Sequence, residues 1–443
     1  MAGIEVIPSA KRLIKSLRDM GYDFAQAVAD VVDNSIEAGA TTVAIDVEFE
    51  ADDSWIRIAD NGTGMRPEEL REALRYGAER QYREDDLGKF GLGLKTASMS
   101  QCQKLCVASR WNKERADISA YCWDLNHIER TNKWEILPVD RDGVAPAIRL
   151  PLKETTGTVV LWQRLDRILG YRHPYGEAAR KRLFQMCRDV EEHLGMVFHR
   201  FLAGEVRGRK LKILVNGNTV RPWDPFCRDE PKTKQLSPIR LKLDYELDSG
   251  DIVTEAINIE PYVLPHQDNF SSQDAFRMAS GPANWNQQQG LYIYRAGRMI
   301  QSGGWSGLRT ADEHTKLARV AIHFLPALDE AFKINVAKMR VQLPGQLKDA
   351  IRDAVGPMIK LARETYGRKA AKRGGNVPGT PDDGGTTSGT KTLGSARTSA
   401  TRGRAGELLT LDEWARRAMA VADPKERAAV QTVVAKLRLA DAV

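Results

Sequence analysis

Between Tyr22 and Lys95 the residue pattern changes period twice, which narrows the possible folds more than any other feature of the chain. From about Tyr22 to Ala38, Phe24, Val28, Val31, Val32 and Ile36 recur at near-helical spacing. Asp30, Asp33, Asn34 and Glu37 then share the other face. Ser54 to Asp60 alternates as a strand, and Asn61-Gly-Thr-Gly-Met65 ends it in a turn before Pro67 opens a helix. The stretch from Arg75 to Lys95 has few apolar residues, is rich in charge and Gly, and leads into a helix start at Leu94-Lys-Thr-Ala-Ser-Met.

Each polar element has a chemistry that suits it. A magnesium ion bridging nucleotide phosphates keeps most of its water and takes one or two oxygens from protein, and Asn34 can supply one. One helical turn earlier, Asp30 can hold an attacking water as general base, a matter of reach first and pKa second. A carboxylate at a strand end, Asp60, can accept a hydrogen bond from an adenine amino group, with Gly62 and Gly64 letting backbone come close to the base. Gly88-Lys-Phe-Gly-Leu-Gly-Leu-Lys95 can present consecutive N–H groups to a triphosphate at a helix N-terminus, with charge added by Lys89 and Lys95. The loop fits neither the dinucleotide fingerprint nor a Walker loop.

Taken in order, and completed by Gly157-Thr158, these elements resemble the GHKL superfamily of ATPases: gyrase B subunits, the heat-shock chaperone of that class, histidine kinases, MutL-type mismatch-repair proteins and the MORC group. The resemblance covers roughly residues 20 to 165. It implies a GHKL (Bergerat) ATP-binding α/β sandwich with ATP and Mg2+ as cofactors. By that likeness Asp60 is the adenine ligand and Thr158 its water-sharing partner, with Gly62, Gly64 and Met65 lining the base. Asn34 is the metal ligand, and Gly88, Gly91 and Gly93 form the lid. Asp33 and Glu37 are structural acids. Asp30 stands where most hydrolysing members carry Glu, so the carboxylate sits about one C–C bond further back. A misplacement of ~1 Å can cost on the order of 100-fold in rate, so slow turnover is expected.

A length of 443 residues with 42% apolar content suggests two folded domains plus appendages. A helical pattern from about Tyr175 to Leu202 precedes a hairpin at Lys210–Val220, turned by Asn216-Gly217, which reads as the start of a second, β-rich unit. Strand patterns at Gly290–Ile300 and Ala318–Phe324 follow, then Ile334-Asn-Val-Ala-Lys338. These are similar to the transducer domain of MutL, gyrase and MORC-like proteins, which implies that Lys338 reaches the γ-phosphate as a second catalytic group. The expected divisions are 1–170, ATP-binding domain; 171–205, connecting helix; 206–367, α+β transducer-like domain; 368–407, disordered basic Gly/Ser/Thr linker; and 408–443, a short helical segment in which Trp414 is a candidate docking anchor.

Between Arg363 and Arg404 nine basic residues face three acidic ones, so most of the net charge of +7 lies there. Such a tether can bind phosphate backbones without sequence preference, or simply keep a linker soluble. The five cysteines have no zinc-ligand spacing, and without a signal peptide they are expected as reduced thiols in a cytoplasmic protein. No apolar run approaches the ~20 residues needed to cross a bilayer.

Within the superfamily the arrangement looks nearest to prokaryotic MORC-like ATPases. The expectation is a slow, magnesium-dependent ATP hydrolase that dimerises on ATP and acts as a clamp on DNA, in a prokaryotic DNA-handling, restriction or antiviral defence setting. Nuclease, helicase or methyltransferase partners would dock on the C-terminal helices. The alternatives are a chaperone-like remodeller of protein partners and a non-hydrolysing ATP-sensing scaffold.

Overall fold

Strands with one large-residue face and one small-residue face build the first half of the molecule. The computed structural model describes residues 6–19, 22–78, 93–114, 117–140, 145–169, 176–246, 250–334 and 341–373. Helices α1 (Ala10–Arg18) and α2 (Phe24–Glu37) come first, then strands β1 (Thr42–Glu48) and β2 (Trp55–Asp60). Next are α3 (Pro67–Leu74), α4 (Gly93–Met99), β3 (Lys104–Arg110), β4 (Ser119–Asp124), α5 (Leu125–Thr131), β5 (Leu137–Pro138), α6 (Pro146–Arg149) and β6 (Gly157–Gln163). A long helix, α7 (Glu177–Val197), and a short one, α8 (His199–Leu202), lead to β7 (Lys212–Val215) and β8 (Asn218–Thr219).

These strands form an eight-stranded sheet in the order β5-β4-β3-β6-β2-β1-β7-β8, antiparallel except where β7 runs parallel to β1. Ile56, Ile58, Leu105, Val107, Val160 and Trp162 face α2, α4 and α7 and pack into the main core. Their neighbours in sequence, Ala59, Cys106, Ala108, Val159 and Leu161, point the other way onto Ile148 and Leu152, as the two-residue period of a strand requires. The α2 helix starts where Asp23 accepts a hydrogen bond from the Gln26 N–H at 3.1 Å. Phe24 meets Trp162 edge to face, with ring centroids 6.2 Å apart.

The hairpin at Asn216-Gly217 forms as expected, with φ of 47° and 80° at its two central residues. It does not open the second unit. Instead β7 lies beside β1 at the edge of the first sheet, because the α7 crossover carries the chain back across that sheet and gives β7 a parallel partner. The chain's first β unit therefore runs past the expected limit of residue 170, and α7 is one of its packed helices rather than a connector.

The second sheet contains β9 (Lys234–Gln235), β10 (Ile239–Glu246), β11 (Ile252–Val263), β12 (Gly290–Arg295), β13 (Arg298–Ser302) and β14 (Ala318–Phe324). Its order is β10-β11-β14-β12-β13, with β9 pairing β11. Helices α9 (Gln273–Ala279) and α10 (Trp285–Gln288) interrupt it, and α11 (Gly345–Arg373) covers one face through Leu347, Ile351, Val355 and Met358. The other face carries Tyr262, Tyr292, Tyr294 and Phe226. The α11 helix runs to Arg373, past the expected start of the linker at residue 368; the rest of that linker and the expected segment 408–443, with Trp414, lie outside the described residues.

The expectation of five thiols is corrected by the sheet register. Cys106 and Cys122 are directly opposed on β3 and β4, with Cα atoms 4.1 Å apart, and form a disulfide. Sequence separation gives no sign of this, because opposition is a property of strand pairing. Cys102, Cys187 and Cys227 are free. Among the described residues no helix is long and apolar enough to cross a membrane.

Trp162 is fully buried at the centre of the first core. Trp162→Ala is expected to cost ~3–5 kcal/mol of stability, the usual range for emptying a buried aromatic site, read as an earlier urea unfolding midpoint.

Candidate functional site

The site is organised by the carboxylate at the end of β2. Asp60 Oδ1 accepts the Gly62 N–H at 2.8 Å and the Thr158 N–H at 3.2 Å, and Oδ2 accepts the Ser35 hydroxyl at 3.1 Å. These donors come from the turn after β2, from β6 and from α2, so one side chain ties three elements together. Burial raises the Asp60 pKa above the ordinary carboxylate value, and the three hydrogen bonds oppose that rise without cancelling it. A carboxylate offers about four lone-pair positions, so a fourth donor can still be accepted.

Around Asp60, backbone packs on backbone more closely than a side chain would allow. Gly157 has φ of +146°, and a Cβ there would lie 1.9 Å from the Asp60 carbonyl oxygen. Gly64 has φ of +69°, and its Cβ would lie 2.1 Å from the Arg110 carbonyl oxygen. At Gly62 a Cβ would meet Ala38 at 2.8 Å, whereas at Gly93 it would meet nothing within 4 Å.

Ser109, which nothing in the sequence pattern singles out, joins the remaining pieces. Its hydroxyl accepts the Met65 N–H at 2.8 Å, donates to the Gly157 carbonyl at 2.9 Å and lies 3.1 Å from Thr158 Oγ1. The structure thus brings Asp60, Gly62, Gly64, Met65 and Thr158 into one network and adds Ser35 and Ser109. Ser35 was visible only as another polar position on α2; Ser109 owes its role to the register of β3 with β6, where it opposes Thr158.

On α2, Asn34 is exposed and donates from Nδ2 to the Asp30 carbonyl at 3.1 Å. Its Oδ1 has no donor among the described residues and suits a hard cation. Asp30 and Asp33 turn away from solvent, only 3% and 1% exposed. Asp30 Oδ1 accepts from Gln26 Nε2 at 3.4 Å and from Arg298 Nη2 at 3.3 Å, and Asp33 Oδ1 accepts from Arg298 Nε at 2.8 Å. Tyr22 lies beside Asp30, and burial, then that carboxylate, push its hydroxyl pKa well up. The Lys95 ammonium donates to the Ala73 carbonyl at 3.0 Å and sits 6.0 Å from the centre of the Tyr76 ring. Burial lowers its pKa to about 8. Gly88, Lys89, Gly91 and Lys338 lie outside the described residues.

Residues 22–158 match the family profile described as histidine kinase-, DNA gyrase B- and HSP90-like ATPase. Residues 22–158 form a domain of the GHKL ATPase type. The matched segment starts at Tyr22 and ends on Thr158, the residues that bracket the network around Asp60. The chain is also similar to proteins named DNA mismatch repair protein MutL from Salmonella arizonae, Salmonella heidelberg and Salmonella enteritidis PT4, at 27% identity over 220 residues. Those alignments cover 48% of this chain and 31% of each relative, so the chain spans about a third of the length of the curated relatives it matches.

A pH-dependent consequence follows from the raised pKa of Asp60. The folded state holds this proton more tightly than the unfolded state, so the contribution to stability is present below the ordinary carboxyl pKa of about 4 and is lost as pH rises through the folded value. Asp60→Asn can keep all three hydrogen bonds, its oxygen facing the N–H groups and its amide facing Ser35. Without nucleotide, the variant is expected to melt at or above wild type at pH 7, with the gap closing on acidification. Thermal melts between pH 3.5 and 7.5 check it; a lower melting temperature for the variant at pH 7 refutes it.

Proposed function

We propose that this chain binds ATP with Mg2+ at the network around Asp60 and Asn34 and uses the nucleotide to close a homodimeric clamp on DNA. The observation that carries the nucleotide reading is the Asp60 carboxylate. It is held by donors from three elements, flanked by Gly62, Gly64 and Gly157, and retains acceptor capacity for an adenine amino group. Asn34 would hold the metal, which in such sites neutralises phosphate charge during phosphoryl transfer. Gly88, Gly91 and Gly93, with Lys89, would cover the phosphates. Lys95 would have to exchange the Ala73 carbonyl to join them.

Asp30 is the base in this proposal and Lys338 the γ-phosphate contact. Asp30 is a shorter side chain than the family's usual Glu and is already engaged by Arg298, so turnover is slow and binding supplies most of the change of state. The DNA-acting part draws support from relatives whose name is DNA mismatch repair protein MutL and from the basic stretch after Arg363. A prokaryotic MORC-like role in antiviral defence or restriction, in the cytoplasm and with nuclease, helicase or methyltransferase partners, is the setting proposed for it.

A second reading has a specific observation behind it. Asp30 is 3% exposed and ion-paired, which favours an ATP-sensing scaffold that locks an assembly without hydrolysis.

The deciding measurement is steady-state ATP hydrolysis by the full chain, with and without double-stranded DNA, beside Asn34→Ala and Asp60→Asn. Turnover that DNA stimulates and that falls at least tenfold in both variants is the expected result. Turnover indifferent to DNA moves the function to protein clients, and tight ATP binding without turnover selects the scaffold.

A further inference from the structure

Two arginines that flank one turn of the second sheet are almost fully buried, and they take different partners. Arg295, at the end of β12, makes a two-pronged ion pair with Asp329 of its own sheet's surroundings, at 2.7 and 2.8 Å. Arg298, at the start of β13, reaches instead to the acid face of α2, with Nε on Asp33 and Nη2 on Asp30. Its guanidinium lies 5.8 Å from the Phe198 ring. The turn between them has φ of 47° at Ala296 and 87° at Gly297, and a Cβ on Gly297 would lie 2.8 Å from Val206. Ala296 packs on the first core. The tip of a hairpin from one sheet is therefore embedded among the helices of the other.

An arginine fork has a fixed plane and cannot be shortened or turned without breaking one of its bonds. With Nε on Asp33, the position of Nη2 is set, and with it the point at which the Asp30 carboxylate is held. That matters most for a base that lacks the reach of Glu, because its side chain has little range over which to correct a misplacement. Resting on the ATPase reading above, we propose that Arg298 is a positioning residue: it holds Asp30 in place for water activation and makes that placement conditional on the second sheet being seated.

The test uses the full chain and measures kcat and KM for ATP together with melting temperature in the absence of nucleotide. Arg298→Gln is expected to lower kcat more than tenfold while KM stays within threefold, with Arg298→Lys in between. It also lowers the melting temperature, since Asp33 keeps a buried charge without its fork. Adding Asp33→Asn to Arg298→Gln should recover the melting temperature. In the Asp33→Asn background, however, Arg298→Gln should still cost more than tenfold in kcat, because Asp30 still lacks its Arg298 contact.

Arg295→Gln, equally buried on the same turn, is the control for a purely structural loss; its kcat is expected within threefold of wild type although it too melts earlier. The proposal is overturned if kcat returns with the melting temperature, if Arg298→Gln has no effect in the Asp33→Asn background, or if Arg295→Gln slows turnover as much as Arg298→Gln. Wild type without turnover removes the hydrolysis reading and this role together; wild-type turnover indifferent to Arg298 removes this role alone.

Discussion

The hydrogen bonds converging on Asp60 connect the elements of the first sheet that build the candidate site. Ser35 brings α2 to the strand, Gly62 folds the following turn back, and Thr158 fixes the start of β6. Because desolvating a carboxylate is costly unless donors surround it, the same contacts that oppose the rise of its pKa also set the spacing of α2, β2 and β6. Gly157 permits this geometry: with a Cβ 1.9 Å from the Asp60 carbonyl, no other residue would let β6 begin where it does. The site is thus an outcome of how three elements meet, not an addition to a finished scaffold.

A second constraint comes from outside that sheet. Asp30 and Asp33, one turn apart on α2, are turned into the protein, and the guanidinium they face belongs to β13. Buried acids need a cation or hydrogen-bond donors, and removing one partner of such a group costs more than the pair contributes. The acid face of α2 is therefore complete only when the hairpin Arg295–Arg298 is inserted. That links the geometry of α2 to the seating of the second sheet, which is the physical requirement for any device that converts nucleotide chemistry into movement of one unit against another.

Much of the site was legible in the residues because its chemistry depends on local turns and on single polar positions. Asn61-Gly-Thr-Gly64 after an alternating strand, an amphipathic helix with Asp30 and Asn34 on one face, and Pro67 at a helix start all read directly, and Asn216-Gly217 specified its hairpin. What was not legible depended on register and on which element lies next to which. Ser109 opposes Thr158 only through the pairing of β3 with β6, Cys106 meets Cys122 only through β3 with β4, and the hairpin at Asn216 joins the first sheet only because α7 returns the chain to β1.

By itself the sequence determined the class of unit, its α2 and β2 elements and the GHKL type of the segment 22–158, since period, turn chemistry and polar placement act over a few residues. Only the tertiary structure decided that Arg298 faces Asp30 and Asp33, that Lys95 is turned onto Ala73, and that the first sheet extends to β8. Those outcomes join residues up to 268 positions apart, and no local preference encodes such a meeting; it follows from the packing that buries the most apolar surface while leaving each buried charge a partner.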